Sequence, residues 1–365
     1  MRIHGQSYRS IWADAQQPDW IYVFDQRRLP FAFDIVKLVH PNDFVQAIKE
    51  MYVRGAPLIG ATAAYGACAL LREAGTAAAL EQGLAALRGS RPTAVDLFHA
   101  IDRVMAAASR QHSQVARLAA ARAEADALVA ESIAQCKAIG NYGLSVIQSI
   151  AAKKPAGEPV NILTHCNAGW LACIDYGTAT APIYLAQQAG IPLHVWVDET
   201  RPRNQGAGLT AFELGQEGIN HTLIADNTGG HLMQHGKVDM VIVGTDRTTA
   251  QGDVANKIGT YLKALAAKDN DIPFYVAVPA TSIDWTLQDG LSEIPIETRS
   301  ADEIHYVQGL HQDEIKQVRI SPWSSPAINY GFDVTPARLI TALITDRGIC
   351  EASAQGLAAL FPEKK

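Results

Sequence analysis

The chain of 365 residues carries 31 basic and 37 acidic side chains, a formal charge of −6. That balance gives no general footprint for a nucleic-acid backbone, and 48% hydrophobic against 19% charged residues excludes extensive disorder. Five cysteines (68, 136, 166, 173 and 350) are too few for a disulfide scaffold and fit a reducing cytosol.

The opening M-R-I-H-G-Q-S-Y-R-S lacks the apolar stretch of a secretory signal. Residues 21–24 and 33–38 read as short strands, and Asn42 or Asp43 as the cap of a helix carrying F-V-Q-A-I-K-E-M. From Ala56 to about Ile150 alanine-rich segments predict packed helices, broken most clearly at Arg91-Pro92-Thr93. The uncharged runs 56–71 and 176–197 are interrupted by Pro57, Gly60 and Gly66, and by Pro182, Gly190 and Pro192. Neither supplies the roughly 20 clean apolar residues of a bilayer span, so no membrane association is expected.

The segment K-K-P-A-G-E-P at 153–159 is the expected boundary between a mixed, mainly helical domain (1–150) and a second domain (151–365). Beyond it, short apolar runs recur at 160–163, 193–197, 222–225, 240–243 and 274–278. Helical stretches at 177–188, 209–217 and 254–267 separate most of them. Alternating strands and helices predict an α/β fold with a Rossmann-like, doubly wound parallel sheet following the helical amino-terminal domain and its small sheet. Ligands of such sheets sit at the carboxyl ends of the strands. The residues that follow each run therefore matter most: Thr164-His165-Cys166-Asn167, Asp198-Glu199-Thr200, Asp226-Asn227 and Thr245-Asp246-Arg247.

Cys166, between a strand and a helix, can have its thiolate stabilised by helix amides and positive charge; a buried, inert thiol is the alternative. Asp246 can be a general acid if apolar surroundings keep it protonated, or an ordinary loop carboxylate. Arg54-Gly55-Ala56 sets a guanidinium beside a flexible turn that leads into a helix, a phosphate-compatible arrangement, and Arg91 repeats that logic. Asn256 and Lys257 offer an amide and a cation near a helix start. Two other patterns fail. Gly206-Ala207-Gly208 is separated from its strand by D-E-T-R-P-R-N-Q, which argues against dinucleotide binding. His231 and His235 have metal-like spacing but lack the glutamate of a zinc protease, and a structural or surface role is expected. No cofactor and no metal is implied.

Several strings together resemble one family: R-G-A-P (54–57), R-P-T-A-V (91–95), T-H-C-N-A-G (164–169), D-E-T-R-P (198–202), Q-G-A (205–207), L-T-A-F-E-L (209–214), G-D-V-A-N-K-I-G-T-Y (252–261) and F-D-V-T-P (332–336). The chain is similar over nearly its whole length to the methylthioribose-1-phosphate isomerases, in the superfamily shared with translation initiation-factor exchange subunits. The resemblance implies an aldose–ketose isomerase of methionine salvage, cytosolic and homodimeric, with a small sugar phosphate as substrate. It implies Cys166 and Asp246 as the catalytic pair. It implies Arg54, Gly55, Ala56, Arg91, Gln205, Asn256 and Lys257 as substrate-binding residues, the site lying in the cleft between the two domains. Three departures, Gly244-Thr245-Asp246-Arg247 for G-A-D-R, Gly208 for an arginine and Asn329-Tyr330-Gly331 for N-P-A, leave the pair intact. They keep 5-deoxyribose 1-phosphate and ribose 1,5-bisphosphate open as alternative substrates, and a noncatalytic regulatory subunit as the alternative class.

Overall fold

The computed structural model describes residues 1–91 and 94–364. By its internal contacts the chain divides into two compact units. Unit 1 holds Met1, Ser7–Ala134 and Trp170–Gly177; unit 2 holds Arg2–Gln6, Gln135–Gly169 and Thr178–Lys365.

Unit 1 begins with a small antiparallel sheet, β1 (Ile11–Ala13), β2 (Ile21–Phe24) and β3 (Ile35–Leu38), in the order β1-β2-β3. Its alternating Ile11, Ile21, Val23 and Leu38 are buried on one face. Helix α1 (Pro41–Lys49) starts two or three residues earlier than the sequence pattern suggests, with His40 at the cap. Asp43 is not the cap but the third helical residue, where its Oδ2 accepts from the amides of Val39 and His40, both at 2.8 Å. A carboxylate in the first turn serves the exposed amides from either position, and this explains the displaced boundary.

Helices α2 (Ala56–Glu73), α3 (Ala77–Gly89), α4 (Val95–Ser109) and α5 (Gln114–Ala151) follow. Ala61, Ala63, Ala64 and Ala67 are buried along α2, so small side chains set the close approach of its neighbours. The Arg91-Pro92-Thr93 break falls between α3 and α4; Pro92 and Thr93 lie outside the described residues. The division into units passes within α5, and residues 153–159 form the turns between α5 and the next strand.

Unit 2 is built on β4 (Val160–Thr164), β5 (Leu193–Asp198), β6 (His221–Ile224), β7 (Met240–Val243), β8 (Arg247–Thr249), β9 (Val254–Lys257), β10 (Phe274–Val278), β11 (Ile283–Asp284), β12 (Phe332–Thr335), β13 (Ala342–Thr345) and β14 (Gly348–Cys350). Seven of them form one sheet in the order β14-β13-β10-β7-β4-β5-β6. All neighbours are parallel except β14, which runs antiparallel to β13. From β4 the chain winds outward through β5 to β6, then returns to the other side of β4 as β7. The sheet therefore reverses its winding between β4 and β7, as expected of a doubly wound fold. Burial is complete along β7, the signature of a strand covered on both faces.

A second sheet, β11-β8-β9-β12, corrects one expectation. Residues 254–267 do not form a single helix: Val254–Lys257 is a strand, antiparallel to both β8 and β12, and helix α6 begins only at Thr260 and runs to Asp269. Gly259, at φ +102°, makes the turn between them. Asn256 and Lys257 thus stand on a strand, not in the first turn of a helix. Among the described residues no helix is long and apolar enough to cross a membrane.

Glu303 braces the loop that carries Gln205. Its Oε1 accepts from Arg203 Nη1 at 2.8 Å and Arg299 Nη2 at 2.6 Å, while Oε2 accepts from Asn329 Nδ2 at 2.9 Å. Burial alone would raise this carboxyl, but the hydrogen bonds and charges of Arg299 and Arg203 prevail and hold it at about 2. A depressed folded value stabilises the chain above the unfolded glutamate range, near 4.3, and that stability is lost as pH falls through about 2. Glu303→Gln should therefore cost about 1–2 kcal/mol at neutral pH, discounted for partial exposure, and the difference should shrink in acid. Urea unfolding of both proteins across that range measures it.

Candidate active site

Cys166 lies just past β4 and is 7% exposed. Its backbone is left-handed, φ +65°, which costs a non-glycine residue energy and is uncommon. Two threonines hold it there. The Cys166 amide donates to Thr200 Oγ1 at 2.8 Å, and Thr210 Oγ1 donates to the Cys166 carbonyl at 2.6 Å. Thr200 is itself anchored: its amide donates to Asp226 Oδ1 at 2.7 Å, and its hydroxyl donates to the Asp198 carbonyl at 3.0 Å. The thiol lies 3.6 Å from Gln205 Oε1, to which it can donate. Two of the residues selected from sequence are therefore in direct contact.

Asp246 follows β7, the strand beside β4, with Leu163 in register with Val241. The loops after the two strands touch: a Cβ on Gly244 would lie 2.6 Å from the Ala168 Cβ. The Asp246 amide donates to the Ala255 carbonyl at 2.9 Å, which joins it to the strand bearing Asn256 and Lys257. The side chain of Asp246 is exposed. The condition set for a protonated acid, apolar surroundings, is thus not met by the chain's own residues. Asn256 and Lys257 are buried; Asn256 Nδ2 donates to Thr260 Oγ1 at 3.0 Å, and Lys257 Nζ donates to the Gly331 carbonyl at 3.0 Å while lying 4.8 Å from the centre of the Phe332 ring. Cys166, Gln205, Asp246, Asn256 and Lys257 all belong to unit 2, beyond the carboxyl ends of β4, β5 and β7 and on the adjoining β9.

Arg54, Gly55, Ala56 and Arg91 belong to unit 1. Gly55 sits at the start of α2 with φ +92° and no side-chain cap, and Ala56 is the first helical residue. An uncapped start leaves first-turn amides able to receive an anion, and Arg54 adds a cation beside it. A Cβ on Gly55 would come within 2.6 Å of both the Cβ and the carbonyl oxygen of Ala172. Gly55→Ala is thus opposed by backbone and by space. It should lower stability by about 1–3 kcal/mol and weaken substrate binding, measurable as a lower melting temperature and a higher KM. Arg91 is half-buried between α3 and α4, its carbonyl accepting from the Ala94 amide at 3.1 Å.

One group of side chains has metal-like proximity: ligand atoms of His165, Asp198 and Asp226 lie within 4.8 Å of one another. The cation there is already an ammonium. Lys263 Nζ lies 3.0 Å from Asp198 Oδ2 and donates to the Asp226 carbonyl at 2.7 Å. Both Asp226 carboxylate oxygens accept from backbone amides, of Thr200 at 2.7 Å and Arg201 at 2.8 Å. This is an ion-pair network already built around an ammonium, in which only Asp198 Oδ1 is left without a hydrogen-bond partner, so little of the set remains for a metal. His231 and His235 are exposed, their rings tilted with centroids 4.2 Å apart, and 206–208 begins a π-helical turn rather than a phosphate loop. Sequence reasoning did not assign roles to Thr200 and Thr210, which shape the Cys166 turn, nor to His165, Asp198 and Lys263. Thr200, Thr210, His165 and Asp198 stand in the family-like strings or beside strand ends, while Lys263 had only its place along the following helix as a signal.

Fold and site together define a doubly wound α/β protein with a thiol and a carboxyl after the two strands that flank its switch point. The chain belongs to the initiation factor 2 subunit family, whose model matches residues 52–352. It is 57% identical to a methylthioribose-1-phosphate isomerase of Methylocella silvestris, over 100% of this chain and 99% of that one. It is 53% identical to a protein of the same name from Desulfatibacillum aliphaticivorans, covering 100% of both. Among solved structures, a 5-methylthioribose 1-phosphate isomerase from Pyrococcus horikoshii matches with a TM-score of 0.85 at 36% identity, over 98% of this chain and 97% of that one. A structure titled translation initiation factor eIF-2B, subunit delta, from A. fulgidus matches with a TM-score of 0.82 at 35% identity, over 98% and 100%.

Proposed function

We propose that the chain is an aldose–ketose isomerase that converts 5-methylthioribose 1-phosphate to 5-methylthioribulose 1-phosphate in methionine salvage. The observation that carries this reading is the pairing of Cys166 and Asp246 after neighbouring strands at the switch point of the sheet. Full-length similarity to proteins named for this reaction supports the substrate.

The chemistry explains why these residue types are needed. The anomeric oxygen carries phosphate, so the ring cannot open as a free hemiacetal does. An acid must donate a proton to the ring oxygen while its bond to C1 breaks, and hydrogen must then move from C2 to C1. We assign the first role to Asp246, with bound sugar supplying the shielding that its own surroundings lack. We assign the second to Cys166, either carrying the proton from C2 to C1 or assisting a direct hydride shift. Arg54, Gly55, Ala56 and Arg91 hold the phosphate in this reading, and Gln205, Asn256 and Lys257 orient the sugar. We also infer a cytosolic homodimer. Five cysteines outside any disulfide support the first part, and family resemblance the second, which light scattering tests.

The likeness to the A. fulgidus chain favours a second reading, a noncatalytic regulatory subunit. Incubating the pure protein with 5-methylthioribose, 5-deoxyribose and ribose-5-phosphate 1-phosphates, and identifying products by NMR, separates the readings. The first sugar should give its ketose with the highest kcat/KM. Preference for another would reassign the substrate, and no turnover of any would favour the regulatory role.

A further inference from the structure

His165 precedes the reactive-cysteine candidate, yet its own ring points into protein: its side chain is 0% exposed, as is that of Asp198. Nδ1 lies 3.0 Å from Asp198 Oδ2, and Nε2 lies 2.8 Å from the Ile258 carbonyl. A carbonyl oxygen and a carboxylate only accept, so each ring nitrogen completes its hydrogen bond by carrying a proton. A neutral imidazole has one such proton. The ring that satisfies both contacts is the imidazolium.

The surrounding charges suit that state. Asp198 Oδ2, on β5, is shared between His165 Nδ1 and Lys263 Nζ of α6, each at 3.0 Å. Asp226, after β6, has its carbonyl against Lys263 and a ligand atom within 4.8 Å of the His165 ring nitrogen. Asp333 on β12 accepts from the amides of Gly259 at 2.7 Å and Tyr261 at 3.1 Å; burial raises its carboxyl overall, and those amides and the charges of His165 and Lys263 only partly oppose this. Two carboxyl groups, those of Asp198 and Asp226, thus stand near the ring beside the single ammonium of Lys263. Space for the ring is made by Gly259, where a Cβ would come within 3.1 Å of His165 Cε1 and Nε2. The two contacts also join distant parts of the candidate site: Ile258 directly follows Asn256-Lys257, and Asp198 leads into Thr200, the acceptor for the Cys166 amide.

We propose that His165 is a positioning residue for Cys166: protonated on both ring nitrogens, it ties the Cys166 strand end to the Asn256–Lys257 strand and keeps a positive charge one residue from the thiol. The charge favours the thiolate, and the tie holds the thiol over the sugar carbons. This inference rests on the reading that Cys166 acts on substrate, but its charge component is testable without turnover.

The experiment compares wild type with His165→Gln and His165→Asn, both neutral, the first able to reach the Ile258 carbonyl and the second Asp198. Alkylation of Cys166 by iodoacetamide is followed against pH, with the modified peptide identified by mass spectrometry, and kcat and KM are measured alongside. Both variants should shift the alkylation midpoint upward by about one pH unit, as loss of a nearby buried charge predicts. The kcat should fall about tenfold or more, with a smaller change in KM. Folded variants whose alkylation profile and kcat match wild type overturn the proposal. Should neither variant fold, ¹⁵N-histidine NMR of the wild type decides: both His165 ring nitrogens protonated at neutral pH supports the proposal, and a single neutral tautomer overturns it. Wild-type protein that turns over none of the sugars would instead defeat the isomerase reading and leave the alkylation and NMR results standing.

Discussion

Cys166→Ser should lose about 10²–10⁴-fold in kcat while KM changes little. Serine nearly preserves size, and it keeps the backbone bonds to Thr200 and Thr210 that hold the left-handed turn. It replaces an acidic, polarisable thiol with a hydroxyl that scarcely ionises near neutral pH. The rate loss should therefore arise without a matching loss of stability. The phosphate contacts assigned to Arg54, Gly55 and Ala56 are untouched, so binding should persist. Steady-state kinetics, with circular dichroism as a check on folding, measures both. A folded variant with wild-type kcat would remove Cys166 from the chemistry.

Asp246→Asn should produce a loss of similar size. Asparagine keeps the shape, and the backbone bond from residue 246 to the Ala255 carbonyl does not depend on the side chain. What disappears is the transferable proton. Because Asp246 is exposed, removing its charge should scarcely alter stability. The informative readout is the pH–rate profile. If Asp246 is the acid that opens the ring, the variant should lose the corresponding limb of the wild-type profile as well as its height. A variant whose profile keeps both limbs would assign the ionisation to another group. Arg54→Ala offers a contrast within the same assay, expressed mainly in KM because it removes binding that precedes the chemistry.

The positions of Cys166 and Asp246 stood out because β4 and β7 are short, mostly apolar runs followed by polar residues, and parallel sheets collect ligands at those ends. Adjacency of the two strands was not legible, since it depends on the chain returning past β4 after forming β5 and β6. Asn256 and Lys257 were singled out as an amide and a cation but placed on a helix instead of a strand. Val254 and Ala255 pack equally well in a helix or a strand, and pairing with β8 and β12, the latter some 80 residues away in sequence, decided for the strand. The network beneath Cys166 was hidden for a similar reason. Asp198 is 33 residues from His165 and Ile258 is 93 residues from it, so local pattern carries neither partnership. The exposure of Asp246 is likewise a tertiary property.

The most direct test of the account is turnover of 5-methylthioribose 1-phosphate by wild type and by the Cys166→Ser/Asp246→Asn double variant, with product followed by NMR and substrate binding by calorimetry. The account predicts the ketose 1-phosphate from wild type, and a folded double variant that binds the sugar but forms essentially no product. A folded wild type that forms no ketose, or a double variant that forms it at the wild-type rate, would contradict it.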